Sequence, residues 1–146
     1  MKVSIVIPTK NRAYTLERVL PSYLSQKYVH EIIVIDDGGD DNTCEVVASF
    51  RDINPDINMR CIRHETTLGA AAGRITGYTN AAHDYVLFGE DDAYLGSAYV
   101  DILLSKLVEK NCAIVSGQIV YMEPNETIEQ ASARFGNGFI EGQYIN

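Results

Sequence analysis

The sequence predicts an α/β fold: a mostly parallel central sheet covered by helices on both faces, three layers in all. Two observations predict it. Short, continuous β-branched apolar runs alternate along the chain with segments whose apolar residues recur at helical spacing. The clearest of those runs also stop at polar or acidic clusters, as strands buried on both faces do where they leave a sheet.

Each element follows from its own pattern. Val3-Ser4-Ile5-Val6-Ile7 is the first strand, ended by Pro8. Leu16, Val19, Leu20, Tyr23 and Leu24 then fall at i, i+3, i+4, i+7 and i+8, a helix with one apolar stripe. Thr15 is its expected cap, and Pro21 predicts a kink or a late restart. Ile32-Ile33-Val34-Ile35 is the second strand, stopped by Asp36-Asp37-Gly38-Gly39-Asp40-Asp41. Asn42 or Thr43 is the expected cap of a helix reaching about residue 50, and Asn54-Pro55-Asp56 marks a loop. Met59-Arg60-Cys61-Ile62-Arg63 reads as the third strand. Residues 69–82 read as a helix whose propensity Gly73 and Gly77 weaken. Tyr85-Val86-Leu87-Phe88 is the fourth strand, and Val100, Leu103, Leu104, Leu107 and Val108 line one face of a further helix. Ala113-Ile114-Val115-Ser116 and Gln118-Ile119-Val120-Tyr121 suggest one or two later strands. Beyond Met122 the pattern weakens to a loop, a helical stretch over residues 127–135 and a turn at Gly136-Asn137-Gly138.

Composition narrows the function classes. A chain of 146 residues suits one domain. Its 12 basic and 20 acidic residues give a net charge of −8, which excludes a broad surface for nucleic acid or anionic lipid. No apolar run approaches the roughly 20 residues of a transmembrane helix, and the first apolar run is too short for a secretory signal. Cys44, Cys61 and Cys112 are odd in number and lack CxxC spacing, so they read as reduced core thiols of a cytoplasmic protein.

Ligands of open parallel sheets bind beyond the carboxyl ends of the strands. Three polar clusters fall there: Pro8-Thr9-Lys10-Asn11-Arg12, Asp36-Asp37-Gly38 and Glu90-Asp91-Asp92. Packed carboxylates repel, so a divalent cation, a hydrogen-bonding ligand or raised pKa values must offset the repulsion. On an extended segment Glu90 and Asp92 point one way and Asp91 the other, so one face suits a hard cation and the other a different part of a ligand. The plain alternative is an acidic turn capping the next helix. Asp37 is placed to accept from a ribose hydroxyl or base N–H, although Asp-Gly is also an ordinary turn. Gly69-Ala70-Ala71-Ala72-Gly73-Arg74 opens a helix with small side chains, where Arg74 can meet phosphate or the glycines simply allow close packing. Other templates fail. There is no GxxxxGK[ST] loop and no GxSxG elbow, and residues 136–142 miss GxGxxG by one position. His30, His64 and His83 match no metal spacing and read as exposed or structural. Tyr78, Tyr94 and Tyr99 are candidates to stack on a sugar or base, with packing as the alternative.

Four of these strings, in this order, resemble the family 2 glycosyltransferases of the GT-A fold: residues 3–12, 31–38, 68–74 and 84–92. The resemblance covers about residues 2–122. It implies a Rossmann-like GT-A sandwich with sheet order 3-2-1-4 and later strands beyond. It also implies transfer of a sugar, with inversion, from a nucleoside diphosphate sugar, a UDP-sugar being favoured, to an unidentified carbohydrate, lipid-linked or protein hydroxyl. By the same resemblance Pro8, Thr9, Asn11, Arg12, Asp37, Gly38, Gly69, Arg74 and Asp91 bind the donor, while Asp92 and Glu90 hold Mn²⁺ or Mg²⁺ at the family's DxD position. Lys10, Gly39, Glu90 and Gly73-Arg74-Ile75 depart from the usual pattern. Residues 1–122 are then the nucleotide-sugar-binding core. Residues 123–146 begin an acceptor-side region or a C-terminal extension, of a whole or a truncated chain. Their acids, Glu123, Glu126, Glu129 and Glu141, sit in no motif, so no general base is identified. A nucleotide-sugar-binding module without efficient transfer, or a sugar-phosphate nucleotidyltransferase, are the alternatives. The Gly-rich loop of the last is missing near the first strand.

Overall fold

A computed structural model describes residues 1–117, 123, 125–127 and 130. Four strands, β1 (Val3–Thr9), β2 (Val29–Asp36), β3 (Asn58–Arg63) and β4 (Tyr85–Phe88), alternate with four helices. These are α1 (Ala13–Leu24), α2 (Thr43–Ile53), α3 (Ala70–Asn80) and α4 (Tyr99–Lys110). The sheet order is β3-β2-β1-β4 and every pairing is parallel. This is the order expected from the sequence, and each parallel pairing needs a crossover connection.

The sheet faces are unequal. Ile5, Ile7, Ile32 and Val34 project to one side, where Leu16, Leu20 and Tyr23 of α1, Val47 of α2 and Leu104 of α4 complete the main core. Val6, Ile33 and Ile35 project to the other, with Ile62, Ala81 and Val86 packed around them. There α3 lies over β1 and β2. A Cβ at Gly77 would overlap Val6 Cγ1 and lie 2.9 Å from its Cγ2, so this glycine is what lets the helix approach β1.

Three local expectations are corrected. Pro21 neither kinks nor restarts α1, which runs unbroken through it. Pro21 is on the exposed side, where solvent can satisfy the carbonyl that the missing N–H leaves free. Thr15, Asn42 and Thr43 do not act as side-chain caps. Asp41 serves both helices instead: Oδ2 accepts from Ala13 N at 2.8 Å, and Oδ1 from Thr43 N at 3.1 Å and Thr43 Oγ1 at 2.7 Å. The cysteines are not all reduced. Because α2 packs on β3, the Cα atoms of Cys44 and Cys61 lie 5.4 Å apart and the two residues form a disulfide, leaving Cys112 as a buried thiol. The expectation of a cytoplasmic location loses the support it drew from reduced thiols. Only Ile114 makes a bridge where a fifth strand was expected, and residues 118–121 lie outside the described residues, as does most of 127–138. Among the described residues no helix is long and apolar enough to cross a membrane.

The smaller face holds one buried ion cluster. Glu31 accepts from Ser4 Oγ at 2.6 Å, Asn58 Nδ2 at 3.1 Å, Arg60 Nη2 at 2.9 Å and Ala82 N at 2.8 Å. Burial pushes its carboxyl up, but the Ser4 and Ala82 hydrogen bonds and Arg60 outweigh this and hold it below the usual carboxylate range.

Two outcomes are expected. Gly77→Ala gains about 1 kcal/mol of helix propensity but overpacks against Val6, and destabilises by about 1–3 kcal/mol overall in urea denaturation. The Glu31 carboxyl binds protons less readily in the folded than in the unfolded chain, so its stabilisation is complete above the ordinary carboxylate range and fades as pH falls through it. Wild type therefore loses stability more steeply than Glu31→Gln between about pH 5 and pH 3. Asp37 and Asp41, also held low, supply the slope common to both. Parallel slopes would refute the assignment.

Candidate active site at the strand tips

The acidic segment after β4 is built by what surrounds it. Asp91 turns inward and is 6% exposed. Its Oδ2 accepts from Thr9 Oγ1 at 2.6 Å and its Oδ1 from Arg12 Nη1 at 3.0 Å. The same Arg12 nitrogen reaches Asp92 Oδ2 at 3.0 Å. Asp91 first, through its hydrogen bond and then its charge, holds the Arg12 guanidinium above its ordinary value. Glu90 and Asp92 turn outward, with side chains 50% and 57% exposed, and Arg74 pairs with Glu90. Burial alternates as expected, although Asp91 and Asp92 form a turn rather than an extended segment. The repulsion is offset here by arginines from two elements.

Tyr23 fixes the segment's height. From the core of α1 its hydroxyl donates to Glu90 O at 2.9 Å and accepts from Glu90 N at 3.1 Å. Burial pushes the phenol up to about 12, so it stays neutral. Gly89 N, one residue earlier, donates to Val6 O at 2.9 Å and carries the β1–β4 pairing past the end of the strand.

The tip of β2 closes inward. Asp36 Oδ2 accepts from Arg63 Nε at 2.6 Å and its Oδ1 from Gly39 N at 2.9 Å. Asp37 N donates to Thr9 O at 2.9 Å. Its carboxylate accepts from His64 Nδ1 at 2.8 Å, Leu68 N at 2.8 Å and Gly69 N at 2.7 Å. Burial opposes the charge, but these bonds prevail and the carboxyl lies below its usual range. Gly38 has φ +70°, and a Cβ there would come within 2.8 Å of the Thr66 and Thr67 backbone, so the turn requires glycine.

The predicted residues therefore divide into groups. Thr9, Arg12, Asp91 and Asp92 form one network, and Glu90 joins Arg74 beside it. Pro8 is buried beneath the first turns of α3, 3.0 Å from where a Cβ on Gly73 would lie. Asp37, Gly38 and Gly69 meet at the turn after β2. Asn11 stands apart: in a left-handed conformation at φ 53°, it accepts from Asp40 N at 2.9 Å. Sequence reasoning missed Tyr23, Asp41, Arg63 and His64 as organisers of the site. A signal existed for Tyr23, since a tyrosine in a core stripe brings a hydroxyl that needs a partner. Arg63 and His64, the last residue of a predicted strand and the one after it, offered a second.

The acid triplet offers only oxygen donors, which hard divalent cations prefer. Among the described residues no three histidine, cysteine, aspartate or glutamate side chains are grouped to cage a metal. One or two exposed carboxylates fit a cation that completes its shell with a ligand's phosphate oxygens.

Comparison with known proteins agrees with the geometry. The sequence model of glycosyl transferase family 2 matches residues 4–144. Glycosyltransferase GlyA of Streptococcus pneumoniae is 32% identical over 146 residues, covering 99% of this chain and 20% of that protein. The UDP-Glc:alpha-D-GlcNAc-diphosphoundecaprenol beta-1,3-glucosyltransferase WfgD of Escherichia coli is 26% identical over 86% of this chain and 49% of its own length. The chain thus spans from a fifth to about half of these curated relatives. S. aureus TarS 1-349 in complex with UDP-GlcNAc superimposes with a TM-score of 0.67 at 23% identity, covering 84% of this chain and 37% of that one. The mannosyltransferase PcManGT from Pyrobaculum calidifontis, in complex with GDP-Man and Mn²⁺, gives 0.70 at 21% identity, covering 76% and 33%. Both share the GT-A fold. A family match running from the first strand almost to the last residue, over strand tips that hold the family's motifs together, means that the chain belongs to glycosyl transferase family 2.

Proposed function

We propose that residues 1–122 are the nucleotide-sugar-binding core of a metal-dependent, inverting glycosyltransferase, with the later residues on the acceptor side. The observation that carries this reading is the buried Asp91 carboxylate, tied to Thr9 and Arg12 so that Glu90 and Asp92 stand exposed at the sheet's open tip. The names of the relatives support a nucleoside diphosphate sugar, with UDP favoured, and Mn²⁺ accompanies the donor in one structural neighbour.

The roles follow from placement. Thr9 and the turn at Gly38 border the nucleoside, and Gly69 lets the start of α3 approach it. Asp92, with Glu90, would hold the cation. When bound, the cation supplies positive charge against the departing diphosphate, which favours the transition state over the ground state. Arg12 and Arg74 already stand beside those carboxylates, each able to exchange a carboxylate for a phosphate oxygen. Asp91 stays inward and keeps Arg12 in place. Among the described residues none is assigned as the base that takes the acceptor proton.

Calorimetric titration with UDP, GDP and dTDP, with and without Mn²⁺, tests the reading. Mn²⁺ should tighten UDP binding by about tenfold or more, or about 1.4 kcal/mol, and Asp92→Ala should remove that gain. Wild-type binding indifferent to Mn²⁺ would sink it. Tyr23→Phe removes both hydrogen bonds to the Glu90 backbone and is expected to lower stability by about 1–3 kcal/mol. It should also reduce the Mn²⁺-dependent gain at a temperature where the variant is folded. An unchanged gain would show that the height of the acidic segment does not matter.

A further inference from the structure

We propose that His64 is a positioning residue for the donor pocket: its ring clasps the tip of β2 to α3 and so sets where the start of that helix, and Arg74 on it, meet the nucleotide. The inference rests on the donor reading above and adds a residue that the sequence reading left as merely exposed or structural.

The geometry is specific. His64 follows β3 directly, and its N–H donates to Asp36 O at 2.9 Å, which continues the β2–β3 pairing past the last strand residue. The side chain is 9% exposed. Nδ1 lies 2.8 Å from Asp37 Oδ1 and Nε2 lies 2.9 Å from Thr76 Oγ1. An ionised carboxylate only accepts, so Nδ1 carries the hydrogen and donates to it. The Thr76 hydroxyl donates to a neutral ring and accepts from a charged one, so the bridge survives either protonation state. Both ring nitrogens are thereby used, and each binds a different element.

The Asp37 carboxylate also accepts from Leu68 N and Gly69 N, the last two residues before α3. His64 orients that carboxylate from one side, and Thr76, in the second turn of α3, meets the ring from the other. The helix start is held at both places by one imidazole. Apolar packing offers little competing restraint, because Gly73 and Gly77 are the only buried residues of α3. Arg74 lies between these two anchors. A histidine that only satisfied a buried carboxylate would not need Thr76.

The test compares His64→Ala with His64→Asn, whose side-chain amide can take the place of Nδ1. At a temperature where both are folded, His64→Ala should weaken binding of UDP with Mn²⁺ by about tenfold or more. His64→Asn should recover all but about threefold of it. Amide hydrogen exchange at Leu68 and Gly69 in the ligand-free protein should speed up in His64→Ala and return towards wild type in His64→Asn. Wild-type affinity in His64→Ala, or equal losses in both variants, overturns the proposal. If wild type binds no nucleotide, the donor reading fails on its own. Exchange then decides the clasp, and unchanged protection at Leu68 and Gly69 in His64→Ala overturns it.

Discussion

A carboxylate taken out of water must be matched by charge and hydrogen bonds, and Asp91 is matched from a single segment, the end of β1 and the turn after it. Thr9 and Arg12, the last residue of β1 and the residue before α1, both reach across to it. β1 and β4 are paired only from Val3–Tyr85 to Val6–Phe88, so beyond Phe88 no full ladder holds the two chains together. The Gly89 amide, the Tyr23 hydroxyl and the Asp91 carboxylate take over in turn. The acidic segment is therefore an extension of the sheet, held by side chains where backbone pairing stops. Its inner residue accepts from Thr9 and Arg12, and its two outer residues face solvent.

In a chain of net charge −8, clustered acids at adjacent strand tips need local cations. The cations come from different places: Arg12 from the turn after β1, Arg63 from the end of β3 and Arg74 from α3, while His64, just beyond β3, adds a ring N–H donor. These pairs differ in kind. Arg63 and His64 face carboxylates that are buried, so removing either takes a hydrogen-bond donor from a carboxylate out of water. Arg12 to Asp92 and Arg74 to Glu90 lie exposed, where an ion pair contributes little and exchanges readily. The buried pairs give the site its shape. The exposed pairs can exchange partners without disturbing that shape.

The strands, their order and the acidic tips were legible because one short-range rule generates them: a strand buried on both faces is continuously apolar and ends where it leaves the sheet. β1 is buried along its whole length and Ile32-Ile33-Val34-Ile35 lies wholly inside β2, while β4 keeps its predicted limits although it is only half-buried. What the sequence hid depends on partners distant along the chain. Asp41 caps α1 across 28 residues, a bond that local capping rules do not look for. Cys44 and Cys61 are 17 residues apart and become neighbours only because α2 lies on β3. Tyr23 has the spacing of a core residue and is one, yet its hydroxyl reaches a backbone 67 residues away. Asp37 shows the limit most plainly. Its position at a strand tip was readable, but not that three donors from the β3–α3 connection would turn its carboxylate inward.

The two faces of the sheet divide the work between stability and adjustment. On the larger face α1, α2 and α4 interlock with β1 and β2 through branched side chains, a packing that resists displacement. On the smaller face α3 buries two glycines and leaves Ile75 and Tyr78 exposed. A glycine contact sets how near the helix lies but does little to stop it sliding or turning, since no side chain interdigitates with the sheet. Polar links at Asp37, His64 and Glu90 supply that missing restraint, and all three sit at the end of the helix that faces the strand tips. Under the proposed function an incoming diphosphate and cation would act on that same end. Charge at the site and the position of α3 are thus coupled by construction, whereas on the opposite face α1 touches the site through Tyr23 and its N-cap Arg12 but is itself locked into the core.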